Sequence, residues 1–396
     1  MRKLLFNNFF FEKLFEDIDN SKETIFCKLF LFRDDSIGKT VMKKLISAAK
    51  RRVKILILKD SLAMYFEQFD GNRSSMFLRS NKMFQELLSF PNVEIFNERR
   101  FDHSKIWIID SKISYLGGIG NSEVYVKEQL DCMIRFEDGK ITSSLIKNLQ
   151  GIEDEKKLSL RFLSYSFKGK NNLDTFIQKD FFKIKLDLKV IVSYLGNPHY
   201  FENLAKLYRD NVKLNFVLSQ KNDFNISRDM HFLWELIRKI ELSYTLNIFT
   251  YFFGFNSKHK RIQENLKLYS YPQKIHLKAF LLDDSKLLLG SLNLSTSSII
   301  NETCVFIDKK DKKNKYIFEE FNTKFQEVIS QSNEIDSIRM SYRTQYNKNN
   351  ITFNFFKSRI DYIVIQLFLF RAYFLNKKKI YYLRELDKKR IRSFYS

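Results

Sequence analysis

The chain has 396 residues, 44% of them hydrophobic, and 68 Lys and Arg against 46 Asp and Glu give a formal net charge of +22. Only three Pro and 11 Gly occur, so linkers and low-complexity tracts have little material, and the apolar content suffices for a real core in one large or two ordinary domains. Three cysteines, Cys27, Cys132 and Cys304, with no CxxC pair exclude a disulfide scaffold and a thiolate zinc site, which makes a reducing compartment the simplest setting.

Arg2-Lys3 and the run Leu4 to Phe11 are interrupted by Asn7-Asn8 and closed by Glu12, a poor secretory signal. No stretch reaches the roughly 18 uninterrupted apolar residues of a spanning helix. Thr24 to Phe32 reads as a strand, Asp34-Asp35-Ser36 as a helix N-cap leading to a helix ending about Lys50, and Val53 to Leu58 as a second strand. That βαβ order favours a mostly parallel sheet covered by helices. A helix follows near Asn81 to Phe90, then strands at Val93 to Phe96 and Phe101 to Ile109.

The same order returns further on. Leu186 to Ser193 reads as a strand, Tyr200 to Tyr208 as a helix, Val212 to Leu218 as a strand, Met230 to Leu242 as a helix and Ile275 to Leu282 as the counterpart of Phe101 to Ile109. An internal duplication accounts for the repetition. It divides the chain into a first lobe (1–150), a connector (151–185), a second lobe (186–330) and a basic, aromatic tail (331–396).

The chemistry falls at matching points of the two copies. His103-Ser-Lys105, Asp110 and Gly117-Gly118 in the first are answered by His276-Leu-Lys278, Asp283 and Gly290-Ser291-Leu292-Asn293 in the second. Asp131 follows His103 by 28 residues and Glu302 follows His276 by 26. On a strand, residues two apart share a face, so each His and its Lys point together into one cavity. Two imidazoles allow one to attack a phosphorus while the other protonates the leaving oxygen. Lys105, Lys278, Ser291 and Asn293 are candidates to neutralise the phosphate, and the glycines to let backbone approach it. Asp131 and Glu302 are candidates to accept from an imidazole Nδ1 and leave Nε2 free. No metal or other cofactor is required by this scheme. Asp110 and Asp283 end buried strand runs, so a turn-capping role stands beside a catalytic one. His199, His231 and His259 form no metal spacing, and Cys132 and Cys304, just after the two downstream acids, read as small core residues.

Two intact HxKxxxxD copies, each followed by Gly-Gly or Gly-Ser, with Asn293 and Asn301-Glu302 after the second, resemble the phospholipase D superfamily. The resemblance runs from about Thr24 to Asp308, and Phe32 to Asp60 with the FDHSKIWIIDSKISYLGG segment is most similar to bacterial cardiolipin synthases. It implies an α/β fold of two pseudo-symmetric lobes, each a mostly parallel mixed sheet flanked by helices, with the active site between them in a monomer that is an internal pseudo-dimer. It also implies phosphatidyl transfer through a phosphohistidine, joining two phosphatidylglycerol molecules and releasing glycerol, with His103 as nucleophile and His276 as general acid. Where the family places an Asn after Gly-Gly this chain has Gly120, so Asn121, one step late, is the shifted phosphate-binding candidate. The paired N-terminal membrane helices of many cardiolipin synthases are not seen, which points to peripheral attachment at the inner face of the cell membrane.

The positive charge calls for an anionic partner, although a general bias toward Lys, Phe, Ile and Asn would leave a protein basic without any basic site. Residues 341–396 hold 13 Lys or Arg against three acids, a net of +10, leaving +12 for the first 340. Ile360 to Leu375, followed by Lys377-Lys378-Lys379 and Lys388-Lys389-Arg390, fits either a segment lying on an anionic phospholipid membrane or a helix packed on the body. Three rival functions stay open: a phospholipase D with water as acceptor, a metal-independent nuclease of the same superfamily, and a non-catalytic lipid-binding protein.

Overall fold

The computed structural model describes residues 1–68, 74–152, 160–164, 183–192, 204, 206–208, 210–219, 265–292, 301–334 and 378–396. In the first half the strands are β1 (Arg2–Phe6), β2 (Thr24–Leu29), β3 (Lys54–Asp60), β4 (Val93–Glu98), β5 (Lys105–Ile109), β6 (Ile113–Gly117), β7 (Gln129–Leu130) and β8 (Cys132–Glu137). The second half adds β9 (Leu160–Ser164), β10 (Asp187–Val192), β11 (Lys213–Ser219), β12 (Leu266–Tyr271), β13 (Lys274–Ile275), β14 (Ala279–Leu282), β15 (Lys286–Gly290), β16 (Thr303–Asp308) and β17 (Asn333–Glu334). Helices α1 (Asn7–Asn20), α2 (Ser36–Lys50), α3 (Ala63–Gln68), α4 (Lys82–Leu88), α5 (Val124–Lys127), α6 (Gly139–Leu149) and α7 (Lys315–Ser330) cover them.

One sheet runs β1-β8-β6-β5-β2-β3-β4 and the other β9-β16-β15-β14-β10-β11-β12-β17, the same order with one strand added. The duplication is therefore structural. The two large sheets are mixed as expected, but within them parallel pairing is confined to β2-β3-β4, where α2 and then α3 and α4 cross over between the strands, and to β10-β11-β12. The motif strands β5 and β14 pair antiparallel on both sides, because each continues through a tight hairpin into β6 or β15.

Local chemistry accounts for the boundaries. Of the three expected cap residues Asp35 caps α2, accepting from Gly38 N–H at 2.9 Å, and the face containing Val41, Met42, Leu45 and Ala48 is buried. Asn7, at φ +45°, turns the chain from β1 into α1 and donates through Nδ2 to Tyr125 O at 2.7 Å. The Asn pair that spoils the amino-terminal apolar run is thus the joint between a strand and a helix.

The expected domain limits change in three places. Residues 160–164, assigned to the connector, form β9 at the edge of the second sheet. Residues 333–334, assigned to the tail, pair with β12. Residues 378–395 are a helix against the first half, with Ile380, Leu383 and Ile391 buried. One apolar cluster also runs through both halves, from Leu4, Ile106 and Ile134 to Ile191, Leu281 and Phe321. α7 packs on β1 of the first sheet, and α6 on β9 of the second. Leu4 N–H donates to Glu320 Oε2 at 2.9 Å across this boundary. The expected helices at Met230 to Leu242 and most of Tyr200 to Tyr208, the segment Ile360 to Leu375, Asn293, His199, His231 and His259 lie outside the described residues.

Candidate active site

β5 (KIWII) and β14 (AFLL) are buried at every residue, a rigid platform whose first ends deliver the two histidines to the boundary between the halves. The ring centroids of His103 and His276 are 6.2 Å apart. Both motif lysines are buried beside them, Lys105 donating to His103 O at 2.6 Å and Lys278 to His276 O. Phe30 meets the His103 ring edge-on at 4.8 Å and Tyr125 meets that of His276 at 5.3 Å, so each ring is held from the side by an aromatic of the first half.

The backbone decides which carboxylate meets which histidine. β7 pairs parallel with β13, and His276 N–H donates to Leu130 O at 2.9 Å, which sets Asp131 beside His276. In the mirror relation His103 N–H donates to Asn301 O at 2.8 Å and Asn301 N–H to Phe101 O at 2.6 Å, which sets Glu302 beside His103. His276 Nδ1–H then donates to Asp131 Oδ2 at 2.7 Å, and His103 Nδ1–H to Glu302 Oε2 at 3.2 Å and Ser291 O at 3.3 Å. Each half's histidine is oriented by the other half's acid, and the tautomer so selected leaves Nε2 free.

Burial, then the ammonium of Lys105, lowers the pKa of His103, with Glu302 opposing. Burial, then Lys278, Lys105 and His103, lowers that of His276 well below the usual value. Both rings are consequently held neutral. Burial and the charge of Lys278 bring Lys105 down to about 7. Two lysines and two imidazoles, with the buried carboxylates of Asp131 and Glu302 behind the rings, meet in one place and offer cationic and donor groups to a phosphate.

Several expected site residues have other work. Asp110 and Asp283, counted with the catalytic groups, sit at the opposite ends of their strands; five β5 residues at about 3.3 Å each put Asp110 roughly 17 Å from Lys105's first position. Asp110 accepts from the backbone N–H groups of Lys22, Glu23 and Thr24, and Asp283 from those of Lys185, Leu186 and Asp187. Both stand at φ +50° in the first position of a hairpin turn. The capping role is the one observed. Ser291, expected on phosphate, is buried with its hydroxyl accepting from Thr303 N–H at 3.0 Å and donating to Thr303 O at 3.3 Å. The glycines make room for the protein itself: a Cβ on Gly117 or Gly290 would strike the backbone of β8 or β16, and one on Gly118 would lie 2.3 Å from Asp131 Oδ1. Asn121 is buried beside the segment after β2, its main chain bonded to Leu31 O and Arg33 N–H, while neither polar atom of its amide has a partner.

Sequence reasoning missed Asp102, Lys28 and Ser104. Burial would raise Asp102, but the Lys28 ammonium at 2.6 Å and the bonds from Ser104 hold it at about 2. Ser104 joins Thr303 Oγ1 across the halves at 2.8 Å. Only the acid immediately before the motif hinted at the Asp102 pair. Cys132 and Cys304 are buried as expected, and Cys27 is buried and free as well.

A family model described as "Cardiolipin synthase, PLD-like domain" matches residues 14–152 and 183–329, and the chain belongs to this phospholipase D-like family. A cardiolipin synthase of Clostridium perfringens (strain 13) is 29% identical over 195 residues, 48% of this chain and 36% of that protein. The major cardiolipin synthase of Bacillus subtilis (strain 168) is 29% identical over 127 residues, 29% of this chain and 24% of the relative. These matches therefore span about a third or less of the relatives' length. Among solved structures, phosphatidylserine synthase of Haemophilus influenzae Rd KW20 superposes with a TM-score of 0.70 at 15% identity, covering 91% of this chain and 94% of that one. Polyphosphate kinase of Porphyromonas gingivalis follows at 0.52 and 11%, covering 81% and 50%. The two-lobed α/β fold is common to them.

Proposed function

We propose that this protein transfers a phosphatidyl group between alcohols, joining two phosphatidylglycerol molecules into cardiolipin with release of glycerol. The observation that carries the reading is the pair of neutral imidazoles, each tied at Nδ1 to a buried carboxylate and flanked by a buried lysine. Lys105 and Lys278 would hold the non-bridging oxygens. The negative charge of an arriving phosphate raises the affinity of His276 for a proton.

In the first step His103 Nε2 attacks phosphorus, the bond from phosphorus to the glycerol oxygen breaks, and that oxygen takes the proton of the His276 imidazolium. In the second, neutral His276 takes the proton of a hydroxyl on the second phosphatidylglycerol. The freed oxygen attacks phosphorus and the phosphorus–nitrogen bond of the phosphohistidine breaks. The lipid assignment draws on the cardiolipin synthases among the relatives. An anionic membrane surface as partner suits the outer face of the C-terminal helix, where Lys378, Lys379, Tyr381, Tyr382 and Lys389 are exposed. Among the described residues no helix is long and apolar enough to cross a membrane.

Purified protein is given phosphatidylglycerol vesicles and, separately, single-stranded DNA, both with EDTA. Cardiolipin and glycerol are the expected products. Phosphatidate in their place would make water the acceptor, and DNA cleavage without lipid turnover would overturn the lipid reading.

A further inference from the structure

The C-terminal helix, 378–395, meets the first half between Phe96 and Phe101, on the segment that leads into His103. Arg100 is buried at 1% exposure, and its guanidinium donates to Lys59 O at 2.6 Å, to Glu98 Oε2 at 2.7 Å and to the carboxylate of Asp387 on the helix. Arg384, one turn earlier, donates to Arg100 O and to Phe101 O, both at 3.2 Å. Arg390 joins Glu98 Oε2 at 2.8 Å and lies over the Phe96 ring. Phe101 itself is in the left-handed region at φ +54°, a conformation a bulky residue keeps only when its surroundings hold it.

The Phe101 carbonyl held by Arg384 is the same one that accepts from Asn301 N–H. Asn301 in turn carries Glu302, the acid of His103. The two histidines differ here. His276 follows a two-residue parallel ladder, Lys274–Ile275 on Gln129–Leu130, whereas His103 follows a single bridging residue, Asp102 on Asn301. The side with the shorter backbone ladder is the side the helix clamps.

We propose that the C-terminal helix is a positioning element for His103, in which Arg384 and Asp387 fix residues 100 and 101 so that Asn301 and Glu302 stay in register with the imidazole. Arg384 and Asp387 touch no reacting atom. Their effect passes through the Phe101 carbonyl to Glu302, and hence to the tautomer and aim of one histidine. The rate effect rests on reading His103 as a catalytic group; the tautomer effect does not.

The test uses the full chain labelled with [15N]histidine, the His103 and His276 signals being assigned with single His→Gln variants. In Arg384→Ala the fraction of Nδ1–H tautomer falls at His103 and stays unchanged at His276. Turnover in the lipid assay falls about 10- to 100-fold with KM little altered, as expected when a reacting group is misplaced by about an ångström. Arg384→Lys keeps the charge and the packed stem but cannot reach both carbonyls, so it folds and shifts His103 in the same direction by less. Arg392→Ala on the same helix, whose guanidinium binds Gln150 O at 2.9 Å, serves as the control and leaves both signals in place. An unmoved His103 in folded Arg384→Ala or Arg384→Lys protein, an equal change at His276, or the same change in Arg392→Ala overturns the proposal. If the unaltered protein turns over no lipid, the function proposed above fails and the tautomer measurement still decides this one.

Discussion

Asp131 Oδ2 accepts from His276 Nδ1–H at 2.7 Å, although the two residues stand 145 positions apart and belong to different halves. The reciprocal pair, Glu302 and His103, spans 199 positions. Neither half contains a complete oriented histidine, so the halves act as one unit, and their continuous core supplies the rigidity that the exchange requires.

Replacing either carboxylate should therefore damage the histidine of the opposite half. Asp131→Asn is expected to lower turnover about 10²- to 10⁴-fold, the range seen when a histidine loses its orienting acid. It should reduce the Nδ1–H tautomer at His276 while leaving His103 as it was, and Glu302→Gln should do the converse. Nitrogen-15 spectra of the two variants check the assignment directly.

His103→Ala and His276→Ala should each abolish lipid turnover. Only the former should prevent trapping of a phosphorylated enzyme after a rapid acid-free quench with labelled substrate. Label retained on His103→Ala protein would exchange the roles of the two residues.

Gly118→Ala separates site from stability. Its Cβ would lie 2.3 and 2.6 Å from the two Asp131 oxygens, so the carboxylate must move away from His276. A turnover loss comparable to that of Asp131→Asn is expected, with a far smaller change in the urea midpoint than for Gly290→Ala, whose Cβ would meet Thr303 O at 2.4 Å and Cys304 Cα at 2.6 Å.

Asp110→Ala and Asp283→Ala should behave in the opposite way. Each removes the acceptor of three backbone N–H groups and places a β-carbon without a polar group at φ +50°. A loss of about 2 kcal/mol in chemical unfolding is expected, with turnover per folded molecule close to unaltered.

The pH dependence follows from the directions of the shifts. In the proposed reaction His103 attacks when neutral, and its pKa is lowered, so kcat/KM should rise with pH through a limb lying below 6.5. In the proposed reaction His276 must carry its proton, and with its pKa lowered well below 6.5 in the free protein it sets a falling limb of kcat/KM on the acid side of the one that Lys105, at about 7, imposes by binding phosphate as the ammonium. Bound phosphate stabilises the ammonium, so the falling limb of kcat should lie at higher pH than that of kcat/KM. Coincident limbs in the two profiles would overturn the contact of His276 and Lys105 with bound phosphate.

The family and the candidate site of this protein were legible in its residues. Duplicated HxK pairs, two downstream acids and the repeated strand and helix order follow from spacing and periodicity, which report what a single strand or helix does with its own side chains. Asp110 could be read two ways because a motif spacing says which residues recur, while only the length of β5 shows that its far end lies outside the site. Ser291 and the glycines went to the fold for the same reason: their neighbours come from β8 and β16, not from the residues beside them in sequence. The pairing of Asp131 with His276, the two edge strands at 160–164 and 333–334, and the helix that clamps Phe101 were decided by tertiary structure alone. Each depends on which distant backbone segment offers its free N–H and C=O groups, and local periodicity carries no record of that choice.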